Sequence, residues 1–262
     1  MKDYIMKYYS SHFDLEQNKY IKKNNLMFLL YYYSTKEDIK LSGPLMVGIE
    51  ITKKCNLRCI HCFKDNYDME DQLKVSDVDM ISKQMQDIGV LDVYLTGGEP
   101  FLRRDIEEVI KIIKSYKLPL SIHTNATLIN SYIAKYLSKV LNMTSDYLQV
   151  SLDGSLPKIH NCIRGTSDAY DNAMLGIKYL IEYKIPVKVN MTITNINCYD
   201  MLSMYKLCEK IGVKYINYNA YFDIGQTKML KIPDKYVTIK NYVEVYEYYQ
   251  KKGILYYCRI QF

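Results

Sequence analysis

From residue 45 to residue 252 the chain alternates short apolar runs of strand length with segments of helical period, which restricts it to an α/β architecture. Runs at 45–51, 91–96, 118–124, 147–152, 187–192 and 214–220 read as six strands. Between the first two, Val78, Ile81, Met85 and Ile88 recur at helical spacing, with Ser76 and Asp79 as a capping-box variant and Gly89 as the stop. Asp105 opens a helix carrying Ile106, Val109, Ile110 and Ile113, and Asn130 caps another through Ile133, Leu137 and Val140. Further helices are expected over 169–183, ending at Gly212, and over 234–252. Six βα units with short connections imply a parallel sheet wound right-handed, two strands short of the closed eight-stranded barrel.

The chemistry of the chain concentrates just after the first strand. Cys55, Cys59 and Cys62 stand there as C-x3-C-x2-C. A fully thiolate-ligated [4Fe–4S] cube takes one cysteine on each iron, so three clustered ligands leave one iron open. An open position is what lets a metal site react rather than only hold structure. The competing reading is a zinc knuckle, but such a site wants four closed ligands, commonly in separated pairs, and His61 between Cys59 and Cys62 would crowd a tetrahedron. The spacing resembles the signature of the radical S-adenosylmethionine (SAM) enzymes. That resemblance implies a [4Fe–4S] cluster and SAM as cofactors. In the family the open iron chelates the amino and carboxylate groups of SAM, and an electron from the cluster splits the sulfonium to a 5′-deoxyadenosyl radical.

Ligands of parallel α/β folds bind at the carboxyl ends of strands, and each remaining motif sits at such an end. Gly97-Gly98-Glu99-Pro100 follows the second strand: glycines allow close backbone approach, Glu99 adds a carboxylate and Pro100 fixes the turn. Taken alone it is an ordinary tight turn; after the cysteine triad it resembles the family's GGEP motif, which receives the SAM ammonium group. His123-Thr124-Asn125-Ala126 follows the third strand and resembles the family's T-N-G segment. Ala126 stands where relatives have glycine, which argues against a left-handed backbone there; His123 reads as a packed interior histidine.

The fourth strand ends in Ser151-Leu152-Asp153-Gly154, with His160 and then Ile163-Arg164-Gly165 after it. A guanidinium suits a carboxylate in a bidentate fork, such as that of SAM, and Ser151 suits a ribose hydroxyl; the plainer reading of Arg164 is a surface ion pair. This run resembles the peptide- and protein-modifying subgroup that usually carries a C-terminal SPASM or twitch extension, in which the serine and arginine contact SAM. Asn190 on the fifth strand is expected at the same pocket. Phe63 either leans on the adenine or belongs to the core.

The resemblance implies an open, partial (β/α)6 TIM-like barrel and a radical SAM enzyme. It would reductively cleave SAM to start hydrogen abstraction from a peptide or protein, drawing on an electron donor such as flavodoxin or ferredoxin. The alternatives are a radical SAM activase or small-molecule synthase, and a non-catalytic cluster-binding partner remnant. The catalytic acid or base is not legible. Residues 1–44 fall outside the pattern and read as a small appendage, with Lys22-Lys23-Asn24-Asn25 as the turn of a β-hairpin. Subgroup relatives continue past this point with auxiliary clusters, whereas here Cys258 is a single late cysteine. Residues 253–262 are therefore expected to begin a missing or truncated extension, which a second polypeptide would replace. The last helix is expected to present an uncovered apolar stripe including Val237, Val243 and Val245.

Composition sets the remaining bounds. A hydrophobic share of 48% is ample for a core, and the apolar run 26–33 is too short to span a bilayer and too far in for a secretory signal. The expected compartment is the cytoplasm, where the scattered Cys162, Cys198 and Cys208 remain thiols. The net charge of +6 is spread along the chain, which points away from nucleic acid and membrane partners.

Overall fold

Strand β1 (Met46–Thr52) leads into the cysteine loop, and from there the described strands are separated by helices, with two in succession after the fourth strand. The computed structural model describes residues 43–64, 73–222, 230–252 and 257–261. The expected N-terminal hairpin falls on residues 1–42, outside the described residues. After β1 come α1 (Val75–Ile88), β2 (Asp92–Gly97), α2 (Ile106–Ser115), β3 (Leu120–Thr124), α3 (Ser131–Val140) and β4 (Tyr147–Ser151). They are followed by α4 (Pro157–Arg164), α5 (Ala169–Glu182), β5 (Val187–Ile193), α6 (Met201–Lys210), β6 (Tyr215–Ala220), α7 (Lys235–Lys252) and β7 (Tyr257–Gln261). The strands form one open sheet in chain order β1 to β7, every neighbouring pair parallel. This is the partial-barrel arrangement expected. Among the described residues no helix is long and apolar enough to cross a membrane.

All six expected strands are present, and the sheet gains a seventh. Residues 257–261, within the segment expected to begin an extension, pair in parallel with β6. The register sets Cys258 beside Ile216 and Ile260 beside Tyr218. A five-residue strand at the end of a chain carries too little pattern to be separated from a loop by sequence alone.

The two faces of the sheet differ in chemistry. Val93 and Leu95 of β2, Ile122 of β3, Leu148 and Val150 of β4, and Val189 and Met191 of β5 are buried on one face. They pack into a single core with Val109, Ile110 and Ile113 of α2, Leu137 of α3, Ile177 and Leu180 of α5 and Met204 of α6. On the other face, Gln149 lies in register with Lys188, and Lys188 with Tyr215; Ser151 pairs with Asn190, and Asn190 with Asn217. Closed barrels fill their interior with branched apolar side chains. Here the sheet stays open, and its inner face keeps polar groups for the site above it.

Local signals were read with mixed success. Gly89 closes α1 with φ 76°, and the Asn130 side chain accepts from the Ile133 N–H at 3.0 Å, as expected of both. The Ser76/Asp79 capping box does not form: α1 starts at Val75, and Asp77 reaches back to accept from the Lys74 N–H at 2.8 Å. Helix α4, which holds His160 and Arg164, was not expected at all. On α7 the stripe is rotated from the expected one: Val245 is fully buried and Val237 packs on the core, while Tyr236, Ile239, Val243 and Tyr246 face outward. The expected trio spans both sides of the helix at 3.6 residues per turn, so it could not share a face.

Ala126 does adopt a left-handed backbone, with φ 61°, despite its side chain. Its N–H donates to Thr124 Oγ1 at 2.9 Å and its carbonyl accepts from Ile129 N at 3.2 Å, so the surrounding turn fixes the conformation. Gly176 of α5 lies directly against this turn, and a Cβ on it would come within 2.2 Å of the Ala126 oxygen. Helix propensity alone favours alanine over glycine at such a site by about 1 kcal/mol. We predict the opposite sign for Gly176→Ala: a loss of about 1–3 kcal/mol from overpacking, read from the urea unfolding midpoint. A stabilised variant would show that the contact relaxes without strain.

Candidate functional site

The cysteine loop leaves the carboxyl end of β1 and is stitched to the loops that follow β2, β3 and β4. Cys55, Cys59 and Cys62 are half-buried free thiols. The Cys62 N–H donates to the Cys59 carbonyl at 3.0 Å, which folds the second half of the motif into a turn. The Leu57 N–H approaches Cys55 Sγ at 3.5 Å, and Arg164 Nη1 donates to Cys59 Sγ at 3.6 Å. Burial pushes the Cys55 thiol up to about 11 and also raises Cys59, where the Arg164 guanidinium opposes it. The metal-free chain therefore carries thiols, and loading iron releases their protons.

The Gly97-Gly98 segment lies against the backbone of this loop. A Cβ on Gly97 would sit 2.3 Å from the Thr52 oxygen, and one on Gly98 would sit 2.0 Å from the Lys54 oxygen. The Gly98 N–H donates to Thr52 at 2.8 Å and the Glu99 N–H to Lys54 at 2.7 Å. Glycine is required there because backbone meets backbone. Glu99 is fully buried, and its carboxylate is turned into the protein: it accepts from Thr124 Oγ1 at 2.7 Å, Asn125 N at 2.7 Å and Phe101 N at 3.2 Å. Burial raises its carboxyl to about 7 against the pull of those three donors. Pro100 begins a single turn of 3-10 helix. Asn125 in turn donates to Asn56 of the cysteine loop at 2.9 Å, and Asn56 donates to Thr127 at 2.8 Å.

On the third side, Arg164 ends α4 and is nearly buried. Its Nη2 lies 2.7 Å from Asp153 Oδ2 and its Nη1 faces Cys59, while Nε is buried without a hydrogen-bond partner. Neither a surface ion pair nor an open fork describes it. His61 is not turned to the sulfurs through Nε2, which lies 3.9 Å from Asp153 Oδ2. Desolvation holds the His61 imidazole low, so it is a neutral neighbour of this pair.

The remaining expected residues scatter around this point. Ser151 ends β4 beside Asn190, which is buried with Oδ1 lacking a hydrogen-bond partner. Phe63 is 65% exposed, so the core reading fails. His123 stacks on Tyr94 with ring centroids 4.9 Å apart, and burial, with Lys188 nearby, lowers it to about 4: a packed interior histidine. Sequence reasoning missed the roles of Asp153, Thr124, Asn125 and Asn56. Asp153 stood in the S-L-D-G run, but its partner is brought in by a helix the sequence did not announce.

Do these residues suit a [4Fe–4S] cluster? No group of His, Cys, Asp or Glu among the described residues converges as a single metal ion requires. A cube takes each cysteine on a different iron, so its ligands need not converge on one point as those of a zinc knuckle must. Donors already face Cys55 and Cys59, and thiolate sulfurs of such clusters characteristically accept hydrogen bonds. The residues fit the group.

Glu99→Gln keeps the side-chain shape but sets an amide donor among donors. We expect a loss of about 1–3 kcal/mol in urea unfolding of the metal-free protein. The native carboxyl lies above its usual 4.5, so its contribution is full below that value and is lost as pH rises through about 7. The variant's deficit should accordingly narrow above neutrality. An unchanged midpoint at all pH values would show that the carboxylate does not hold these loops.

Comparison with known proteins places this geometry. Residues 49–208, more than half of the 262, match the model of the Radical SAM superfamily. An AdoMet-dependent heme synthase of Nitratidesulfovibrio vulgaris is 25% identical over 78% of this chain and 55% of its own length. A probable GTP 3′,8-cyclase of Thermococcus kodakarensis is 32% identical over 70% of this chain and 60% of its own. The chain thus spans little more than half the length of these relatives. Among solved structures, SuiB of Streptococcus suis bound to its precursor peptide SuiA superposes with a TM-score of 0.75 at 21% identity, over 91% of this chain and 53% of that one. At that identity the likeness speaks for the fold alone. The chain belongs to the radical SAM superfamily, whose enzymes use a [4Fe–4S] cluster and SAM.

Proposed function

We propose that Cys55, Cys59 and Cys62 hold the cluster and that the chain starts hydrogen abstraction from a peptide or protein substrate. The observation that carries the reading is the convergence of three loops, after β2, β3 and β4, on the cysteine loop at one end of the sheet. With SAM bound, the cluster supplies a one-electron reductive cleavage that yields the abstracting radical. The chain's own groups bind and orient. The Gly97-Gly98-Glu99-Pro100 backbone would receive the SAM amino group, Arg164 its carboxylate and Ser151 a ribose hydroxyl, with Asn190 in the same pocket and Phe63 at the adenine. An electron donor such as flavodoxin or ferredoxin completes the system, and a second polypeptide is a candidate partner at the exposed α7 stripe.

The peptide reading draws support from the inner face of the sheet. Gln149, Asn190, Thr192, Asn217 and Asn219 line β4 to β6 there, neutral amides and a hydroxyl suited to peptide N–H and C=O groups. The ammonium of Lys188, on the same face, lies 3.7 Å over the Tyr147 ring. The resemblance of the Ser151–Gly154 and Ile163–Gly165 run to the peptide-modifying subgroup supports it too. The second reading, a small-molecule substrate, draws on the cyclase and heme synthase relatives. A triphosphate or a carboxylate-bearing macrocycle wants several fixed cations, and among the described residues of β4 to β6 this wall offers Lys188.

Anaerobic reconstitution followed by assay of 5′-deoxyadenosine from SAM tests the activity. We expect the triple variant with Cys55, Cys59 and Cys62 changed to alanine to lose both iron and SAM cleavage. Retention of about four irons per chain, the content of one cube, would sink the ligand assignment. Arg164→Lys should weaken SAM binding at least tenfold, about 1.4 kcal/mol, because an ammonium cannot face Asp153, the Cys59 sulfur and SAM through separate fixed N–H groups as the planar guanidinium does. Parental SAM affinity with parental iron content would show that Arg164 does not meet SAM.

A further inference from the structure

Arg164 does not choose its own position. Asp153, 0% exposed, is fixed from three directions that do not involve it. Its N–H donates to His160 Nδ1 at 3.0 Å, its Oδ1 accepts from the Thr192 N–H at 2.9 Å, and its carbonyl accepts from Asn197 Nδ2 at 2.9 Å. The remaining oxygen, Oδ2, meets Arg164 Nη2 at 2.7 Å. The end of α4 is clamped to the cysteine loop as well: the Ile60 N–H donates to the Ile163 carbonyl at 2.9 Å. Gly165, with φ 77°, lies so close to the Arg58 oxygen that a Cβ would meet it at 2.4 Å. With the end of α4 held in this way, Arg164 Nη1 donates to Cys59 Sγ at 3.6 Å.

A cation and hydrogen-bond donor held at a ligand sulfur favours the more negative, reduced state of an iron–sulfur cluster, and hydrogen bonds to the sulfurs are among the terms that set its potential. A bare carboxylate at the same distance does the reverse. We propose that Asp153 is a positioning residue for the cluster: it holds the Arg164 guanidinium against the Cys59 sulfur and thereby raises the reduction potential. This rests on the assignment of Cys59 as a ligand. The two roles open to Asp153 predict opposite signs. Acting by its charge alone, its removal raises the potential; acting by holding Arg164, its removal lowers it.

The experiment is an EPR-monitored redox titration, with dithionite as reductant and neither SAM nor substrate present. It compares the reconstituted parent with Asp153→Asn and Arg164→Gln, each first checked for iron content and circular dichroism. At the poise where half of the parent cluster is reduced, we expect the ratio of reduced to oxidised cluster to fall about tenfold in both variants, a downward shift of about 59 mV. The double variant Asp153→Asn/Arg164→Gln, which removes both charges and leaves a neutral amide pair, covers the case in which a lone buried charge prevents folding. We expect it to shift downward too, whereas cancelling charges predict no shift. An upward or absent shift in Asp153→Asn or in the double variant, with parental iron content, overturns the inference. A Cys59→Ser chain that retains the parental cluster and potential overturns the ligand assignment, and the inference with it.

Discussion

A parallel sheet whose described helices pack on one face must satisfy two environments, and much of the described structure follows from how its strands do so. Alternate residues of β2 to β5 pack under α2, α3, α5 and α6, where burial of each large apolar side chain contributes about 1.5–3 kcal/mol. The residues between them face away from those helices, and they include amides, hydroxyls, aromatic rings and the Lys188 ammonium. Because all strands run the same way, every loop that follows one opens at the same end of the sheet. Four of those loops are then near enough to bond to one another.

The bonding among them is carried by buried carboxylates. Glu99 joins the loop after β2 to the loop after β3, and Asp153 joins the loop after β4 to α4 and, through Arg164, to the cysteines. Burying a carboxylate is costly unless it is paired, and here backbone N–H groups and a hydroxyl donate to these carboxylates while Asp153 Oδ2 is ion-paired with the Arg164 guanidinium. The opposite end of the sheet uses the same device for a different purpose. Asp146 pairs there with Lys114 and accepts from the Leu120 and Asn142 N–H groups. That pair links elements far from any cysteine and reads as structural support. The carboxyl-end pair has a sulfur as its third member.

Relatives that share this core are described as heme synthases and GTP cyclases, while solved neighbours in fold include SuiB with its precursor peptide. A core that serves such different substrates cannot name one, since function resides in the groups set on the fold. What distinguishes chains of this kind is the inner wall below the cofactor loops and whatever lies beside it. In this chain the wall from β4 to β6 is rich in amides.

The sequence by itself determined the elements whose signals are local. Strand and helix alternation, the Asn130 cap, the Gly89 stop and the C-x3-C-x2-C spacing each lie within a few residues, where hydrogen-bond geometry and periodicity act directly. Tertiary structure decided everything that depends on partners distant in the chain. Glu99 meets Thr124 across 25 residues and Arg164 meets Cys59 across 105, and neither direction is written in the neighbouring residues. Ala126 accepts φ 61° because Thr124 and Ile129 close the turn around it, against its own preference. The seventh strand exists because β6 offers an edge, and the outward stripe of α7 is whichever side the core leaves over. Propensity is a property of a segment; a binding partner, an edge or a buried charge is a property of the assembled sheet.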